Sequence, residues 1–188
     1  MKKQNYISAI ILCCILGTTI VSNAQKKDLI TPFRQGSATV NFGVGVGNDF
    51  KNDFSDSHST FGTKAALEFG IWKAGPGVVS LGAEVGGSFS RGSYENDFRS
   101  RRFIIAGRSA WHYGWKVSRL DTYAGLSAGV GFYHSDYKKG QNNIDINDTD
   151  PVFGGFIGAS YFITPSFAFN IEAGNDINNV QAGVVIKL

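Results

Sequence analysis

Val180-Gln-Ala-Gly-Val-Val-Ile-Lys-Leu188 closes the chain and reads as a β-strand, with Val180, Ala182, Val184, Ile186 and Leu188 on one apolar face and Gln181, Gly183 and Lys187 on the other. An apolar strand with an open edge invites pairing with other chains, so it needs a cover. The economical cover is the first strand of the same chain. That arrangement predicts a sheet closed on itself, with no free edge.

Working outward from this stretch, the same period of two recurs. Val40, Phe42, Val44 and Val46 alternate with glycines and polar residues, and so do Phe61 to Ile71 and Val79 to Phe89. A fourth strand sets Phe103, Ile105, Trp111 and Tyr113 against Arg102, Ala106, Arg108 and His112, with Ile104 as its one misfit. The fifth, Leu120 to Phe132, is the cleanest alternation. A sixth carries Phe153, Ile157, Ala159 and Tyr161, and a seventh runs from Phe167 to Ala173. With the closing strand this predicts eight strands of about 9 to 13 residues, the length of a tilted membrane crossing. The connections alternate between long or polar (48–59, 90–100, 134–150, 175–179) and short (73–77, 115–119, 164–166), and both termini fall on the short side. Short turns on one side and long loops on the other are the plan of an outer-membrane barrel. The expected fold is therefore all-β, an eight-stranded antiparallel up-and-down transmembrane β-barrel.

Residues 1–24 carry Lys2 and Lys3, an apolar run from Ile7 to Val21, and Ser22-Asn23-Ala24 before Gln25. This is the plan of a cleaved secretory signal. The run of about 15 residues is short for an apolar slab that takes about 20 helical residues to cross. Residues 25–36 are read as a periplasmic lead-in and 37–188 as the barrel. Cys13 and Cys14 lie in the leader, so the mature chain is expected to have no disulfide and no Cys-ligated metal. The formal charge of +3 falls to about +1 without Lys2 and Lys3, which gives no electrostatic case for nucleic acid.

Period alone does not say which face is inside. The polar face is crowded with Gly, Ser and Ala, a poor solvent surface that suits a narrow lumen. The apolar face carries no formal charge and is flanked by aromatics. Trp72, Trp111, Tyr113, Tyr161 and Phe167 lie near the short turns, and Phe61, Phe89, Phe103, Phe132 and Phe153 near the long loops. Two such girdles mark the boundaries of a bilayer. The apolar face is therefore expected outside.

The lumen-facing charges are Lys64, Glu68, Glu84, Arg102, Arg108 and Glu172. Counted from the short turns, Glu68, Glu84, Arg108 and Glu172 share a middle layer, which predicts three carboxylates around one guanidinium, with Lys64 a little higher. Its bland reading is a structural plug. Its functional reading is a gate or narrow conduit, for which the lumen glycines leave room, with a cavity possible on the loop side. His58 and His134 sit beside Ser57, Ser59, Ser135 and Asp136, but adjacency in sequence does not make a catalytic constellation. No metal spacing, calcium loop or phosphate loop is present, and no cofactor is expected.

Gly107-Arg-Ser-Ala-Trp-His-Tyr113, Leu120-Asp-Thr-Tyr-Ala-Gly-Leu126, Gly155 to Phe167, Phe169-Asn-Ile-Glu-Ala-Gly174 and the closing strand resemble the small outer-membrane β-barrel proteins of Gram-negative bacteria, the broad group of OmpA-like and OmpW-like barrels. The resemblance implies residence in the cell outer membrane, contact with its lipid and lipopolysaccharide, and insertion by the barrel-assembly machinery. Such barrels usually end in an aromatic residue, where this chain has Leu188. The expected role is structural or surface-interacting, without enzymatic activity and with no particular extracellular ligand indicated. A narrow solute channel is the first alternative and a lipid A-modifying acyl hydrolase or transferase the second.

Overall fold

A computed structural model of the chain describes residues 32–47, 59–94, 96–139 and 142–188. The leader expected at 1–24 and His58 lie outside the described residues. Eight strands follow in order: β1 (Ala38–Val46), β2 (Ser59–Ala74), β3 (Gly77–Tyr94), β4 (Asn96–Gly114), β5 (Leu120–Lys139), β6 (Asn142–Phe162), β7 (Phe167–Gly174) and β8 (Val180–Lys187). Each pairs antiparallel with its neighbours in sequence, and β8 returns to β1 to close the barrel. The closing register runs from Thr39 opposite Lys187 to Val46 opposite Val180. The terminal apolar strand is covered by the first, and that closure removes the sheet's edge.

The barrel is inverted relative to a soluble one. Leu126 and Phe153 are each 72% exposed on the outside, in company with Phe42, Phe61, Val85, Ile105 and Ile171. Lys64, Glu84, Arg108 and Glu172 are buried inside. Only an apolar surrounding makes this partition favourable, since it leaves large hydrocarbon side chains outside and charges within. At the short-turn end Trp111 stacks on Tyr113 at 5.5 Å and Trp115 meets the same ring edge-on at 4.8 Å. Trp72 shares an even position with the lumen residues Glu68 and Gly70, but a register shift between Gly70 and Trp72 turns it outwards. Such a bulge re-aims a side chain without breaking the ladder. Gly75, with φ of 59°, supplies the left-handed residue of the turn into β3.

The strands depart from the expected lengths. They run from 8 residues in β7 and β8 to 21 in β6. The polar stretches 90–100 and 134–150 are not loops over most of their length: β3 pairs with β4 as far as Tyr94 opposite Asn96, and β5 with β6 as far as Lys139 opposite Asn142. Apolar alternation marks where a sheet crosses hydrocarbon. The ladder needs only paired backbone groups, so it continues beyond the apolar band. Beyond β7 the upper part of β6 is paired, among the described residues, with β5 alone. Pro151 lies on that edge, and the Thr149 amide donates to Asp148 Oδ1 at 2.8 Å, so both positions blunt it.

Candidate functional site: the filled lumen

Alternation sends the even-numbered side chains of β2 and β4 inwards, and barrel curvature brings them within reach of β3, β7 and β8. The structure places Arg108 at the centre of the lumen. Its Nε pairs with Glu68, its Nη1 donates to Glu84 Oε2 at 2.9 Å and its Nη2 to Glu172 Oε2 at 3.1 Å. These are the four residues expected in one layer. Phe156 lies beneath the guanidinium, with its ring centroid 4.0 Å from the Arg108 carbon. Lys64, one step higher, pairs with Glu172 and Asp176 and lies 3.7 Å from Glu84 Oε2. Tyr123 donates to Glu172 Oε2 at 2.7 Å, and Asn170 donates to the Tyr123 oxygen at 2.8 Å.

Arg102 stands apart from this cluster. Its guanidinium lies 4.8 Å over the Tyr133 ring, nearer the long-hairpin end. Parity puts it in the lumen, and its position six residues further from the short turn than Arg108 sets it above the cluster. The cluster is also more acidic than expected, because Asp176 and Asp121 join it. Asp121 Oδ2 is 2.8 Å from His112 Nδ1, while Glu68 Oε2 is 2.9 Å from His112 Nε2. His112 and Asp121 carried lumen parity in the sequence. Asp176 had no such signal, since it lies in a connection.

Both ends of the lumen are occupied by segments that the sequence reading left outside the barrel. The connection 175–179 folds inwards, with Asp176, Ile177 and Asn178 all buried. Ile177, 2% exposed, packs with Ile104, Ala106 and Val152, which accounts for Ile104 as the apolar misfit of its strand. Inward glycines make the space. A Cβ at Gly62 would fall 2.0 Å from Asn178 Oδ1, one at Gly86 2.7 Å from Ile177 Cδ1, and one at Gly154 2.7 Å from the Asp176 backbone. The room expected for a cavity on the loop side is thus taken by the chain itself. At the other end Phe33, 1% exposed, stacks on His112 with centroids 3.8 Å apart and planes 15° from parallel. Lys187 Nζ donates to the Pro32 carbonyl at 2.7 Å and Gly36 N to Gly70 O at 2.8 Å, so residues 32–36 are tied into the barrel. Between Phe33 and Tyr123 remains a void of about 20 Å³, the size of one water.

Ser80, His112 and Asp121 have the residue types of a hydrolase triad, with Ser80 Oγ 3.2 Å from His112 Nε2. Ser80 is fully buried, however, and its hydroxyl donates to Glu68 Oε2 and accepts from the Ala110 amide. His134 is spent on Asn147, with Nδ1 2.7 Å from Oδ1.

The ten girdle residues all face outwards, and Trp115, absent from the expected set, joins the lower ring. Phe103 and Phe132 adjoin in the upper ring at 6.4 Å.

Solved structures of similar fold include Neisserial surface protein A, 14% identical, with 81% of this chain and 96% of that one covered and a TM-score of 0.49. The attachment invasion locus protein Ail of Yersinia pestis is 12% identical over 81% of this chain and 95% of that one, with a TM-score of 0.43. OprG of Pseudomonas aeruginosa is 13% identical over 82% and 97%, also with a TM-score of 0.43. No family model matches the chain, and no curated protein matches it.

Proposed function

We propose that this chain is an integral outer-membrane protein, exported by a cleaved leader at 1–24, with a structural or surface-interacting role and a lumen closed to solutes. The observation that carries the reading is the filling of the lumen from both ends: Phe33 below, Ile177 above, and the Arg108 cluster between them. A passage for solutes needs a continuous polar opening, whereas the packing of the described residues leaves a water-sized void in the lower half. The exposed hairpins, β3–β4 and β5–β6, are then the parts that meet the surroundings. Lipopolysaccharide and the barrel-assembly machinery are the partners this location supplies. Planar-bilayer recording of purified protein tests the reading. Silence is expected, and steady unitary openings would replace it with a narrow solute channel. Release of fatty acid from lipid A by purified protein would instead replace it with an acyl hydrolase, despite the burial of Ser80.

A further inference from the structure

On the outward face of β1–β4 and β8 lies an apolar groove of about 590 Å³. Its floor is made by small residues, Thr63, Ala65, Gly87 and Ala182, and Phe89 and Phe103 stand at its upper end. Directly beyond these two rings comes positive charge. Arg101 is paired across the sheet with Phe89, precedes Phe103 by two positions on the same face, and is exposed; Arg99 follows on that face and is exposed as well. The height is informative. Ten residues separate Arg101 from Trp111 of the lower ring, which at about 2.5 Å of rise per tilted residue is about 25 Å, the thickness of the apolar band of such barrels. Arg101 therefore sits where hydrocarbon gives way to headgroups. Glu68 and Glu84, the carboxylates among the described side chains of β1–β4, point into the lumen; on β5 Arg99 stands opposite Asp136 and Arg101 opposite His134, so Arg101 is the guanidinium with no carboxylate directly across the sheet from it.

We propose that this face is a binding site for a phosphorylated lipid of the outward-facing leaflet, with its phosphate on Arg101 and Arg99 and an acyl chain in the groove below. The inference rests on the reading of the barrel as membrane-spanning. A guanidinium offers paired N–H donors to phosphate oxygens, and at an interface of reduced polarity such charge-assisted bonds are strong. The groove supplies what a bare basic patch lacks, a seat for the hydrocarbon that fixes the lipid beneath its headgroup. The small floor residues let a chain approach the sheet closely, while Phe89 and Phe103 flank its entry.

The test uses the folded mature chain in detergent micelles, titrated with diphosphoryl lipid A or with its dephosphorylated counterpart and followed by native mass spectrometry. The diphosphoryl form should bind about tenfold more tightly or better. The double variant Arg99→Gln/Arg101→Gln should lose that preference, whereas Lys73→Gln/Lys116→Gln, at the opposite end of the barrel, should retain it. Ala65→Phe/Ala182→Phe fills the groove and should weaken both lipids by similar factors. Equal affinity of the wild type for the two lipids overturns the proposal, and so does a preference that survives loss of both arginines. Flotation with phosphatidylcholine vesicles distinguishes failure of this site from failure of the membrane-spanning barrel. A protein that floats but ignores the phosphate overturns this site alone, and one that does not float overturns the membrane reading as well.

Discussion

Arg108 has three carboxylate partners and an aromatic ring beneath it, and its side chain is 1% exposed. A buried ion cluster of this kind is weak evidence of net stabilisation, because desolvation offsets most of the attraction. Breaking it from one side is nevertheless costly, because the remaining charges stay buried without their counterion. Arg108→Ala should therefore lower the free energy of unfolding by about 3–5 kcal/mol, read as an earlier urea midpoint at neutral pH. The pair Arg108→Met with Glu84→Gln should be milder than the single change, since it removes one stranded carboxylate with the cation. A wild-type midpoint for Arg108→Ala would mean that the cluster does not act as a unit. Leu126 poses the opposite case on the outer face, where it is 72% exposed to hydrocarbon. Leu126→Arg should cost about 2–4 kcal/mol, measured as folding into lipid vesicles against denaturant, and an unchanged folding yield and midpoint would show that this position does not face lipid.

At the scale of elements, the connection 175–179 behaves as part of the core rather than as a loop. It contributes Ile177 to an apolar cluster and Asp176 to Lys64, and the inward glycines of four strands are the clearance it needs. Gly62→Val places atoms where Asn178 Oδ1 now lies, so the connection should be pushed out of the lumen. A cysteine at Asn178, in a protein produced without residues 1–24 and so with no other thiol, should then react with a maleimide much faster in the Gly62→Val background than alone. Equal rates would show that the connection is not held by this packing. None of this could be seen in the strand pattern. Gly45, Gly62, Gly86 and Gly154 announce space on the lumen side, but a missing Cβ does not state what occupies the space. Phe33 is a similar case: it meets His112 across a wide separation in sequence, and no local period links the two.

For the whole molecule, orientation follows from the asymmetry of its ends. The long hairpins β3–β4 and β5–β6 rise from one rim, and the tight turns, the start of β1 and the end of β8 lie at the other. A cysteine at Asn143, near the tip of β5–β6, should label with an impermeant reagent on intact cells, while one at Ala74, beside the Gly75 turn, should label only after the outer membrane is opened. The reverse pattern would invert the barrel.

The alternation of apolar and polar residues, by itself, determined the number of strands, their up-and-down order, which face of each is turned out, and the closure of Val180–Lys187 on Ala38–Val46. A two-residue period is a local property, repeated in each strand, and it survives without knowledge of any neighbour. Tertiary structure alone decided the rest: how far the hairpins continue beyond the apolar band, that His112, Asp121 and Asp176 extend the ionic cluster, and that segments from two connections fill the lumen. Period records the side on which a residue lies, and counting from the short turns gives its approximate height, as with the Arg108 layer. Which side chains meet across the lumen depends on the stagger between strands, and the path of a connection depends on the space the finished barrel leaves open.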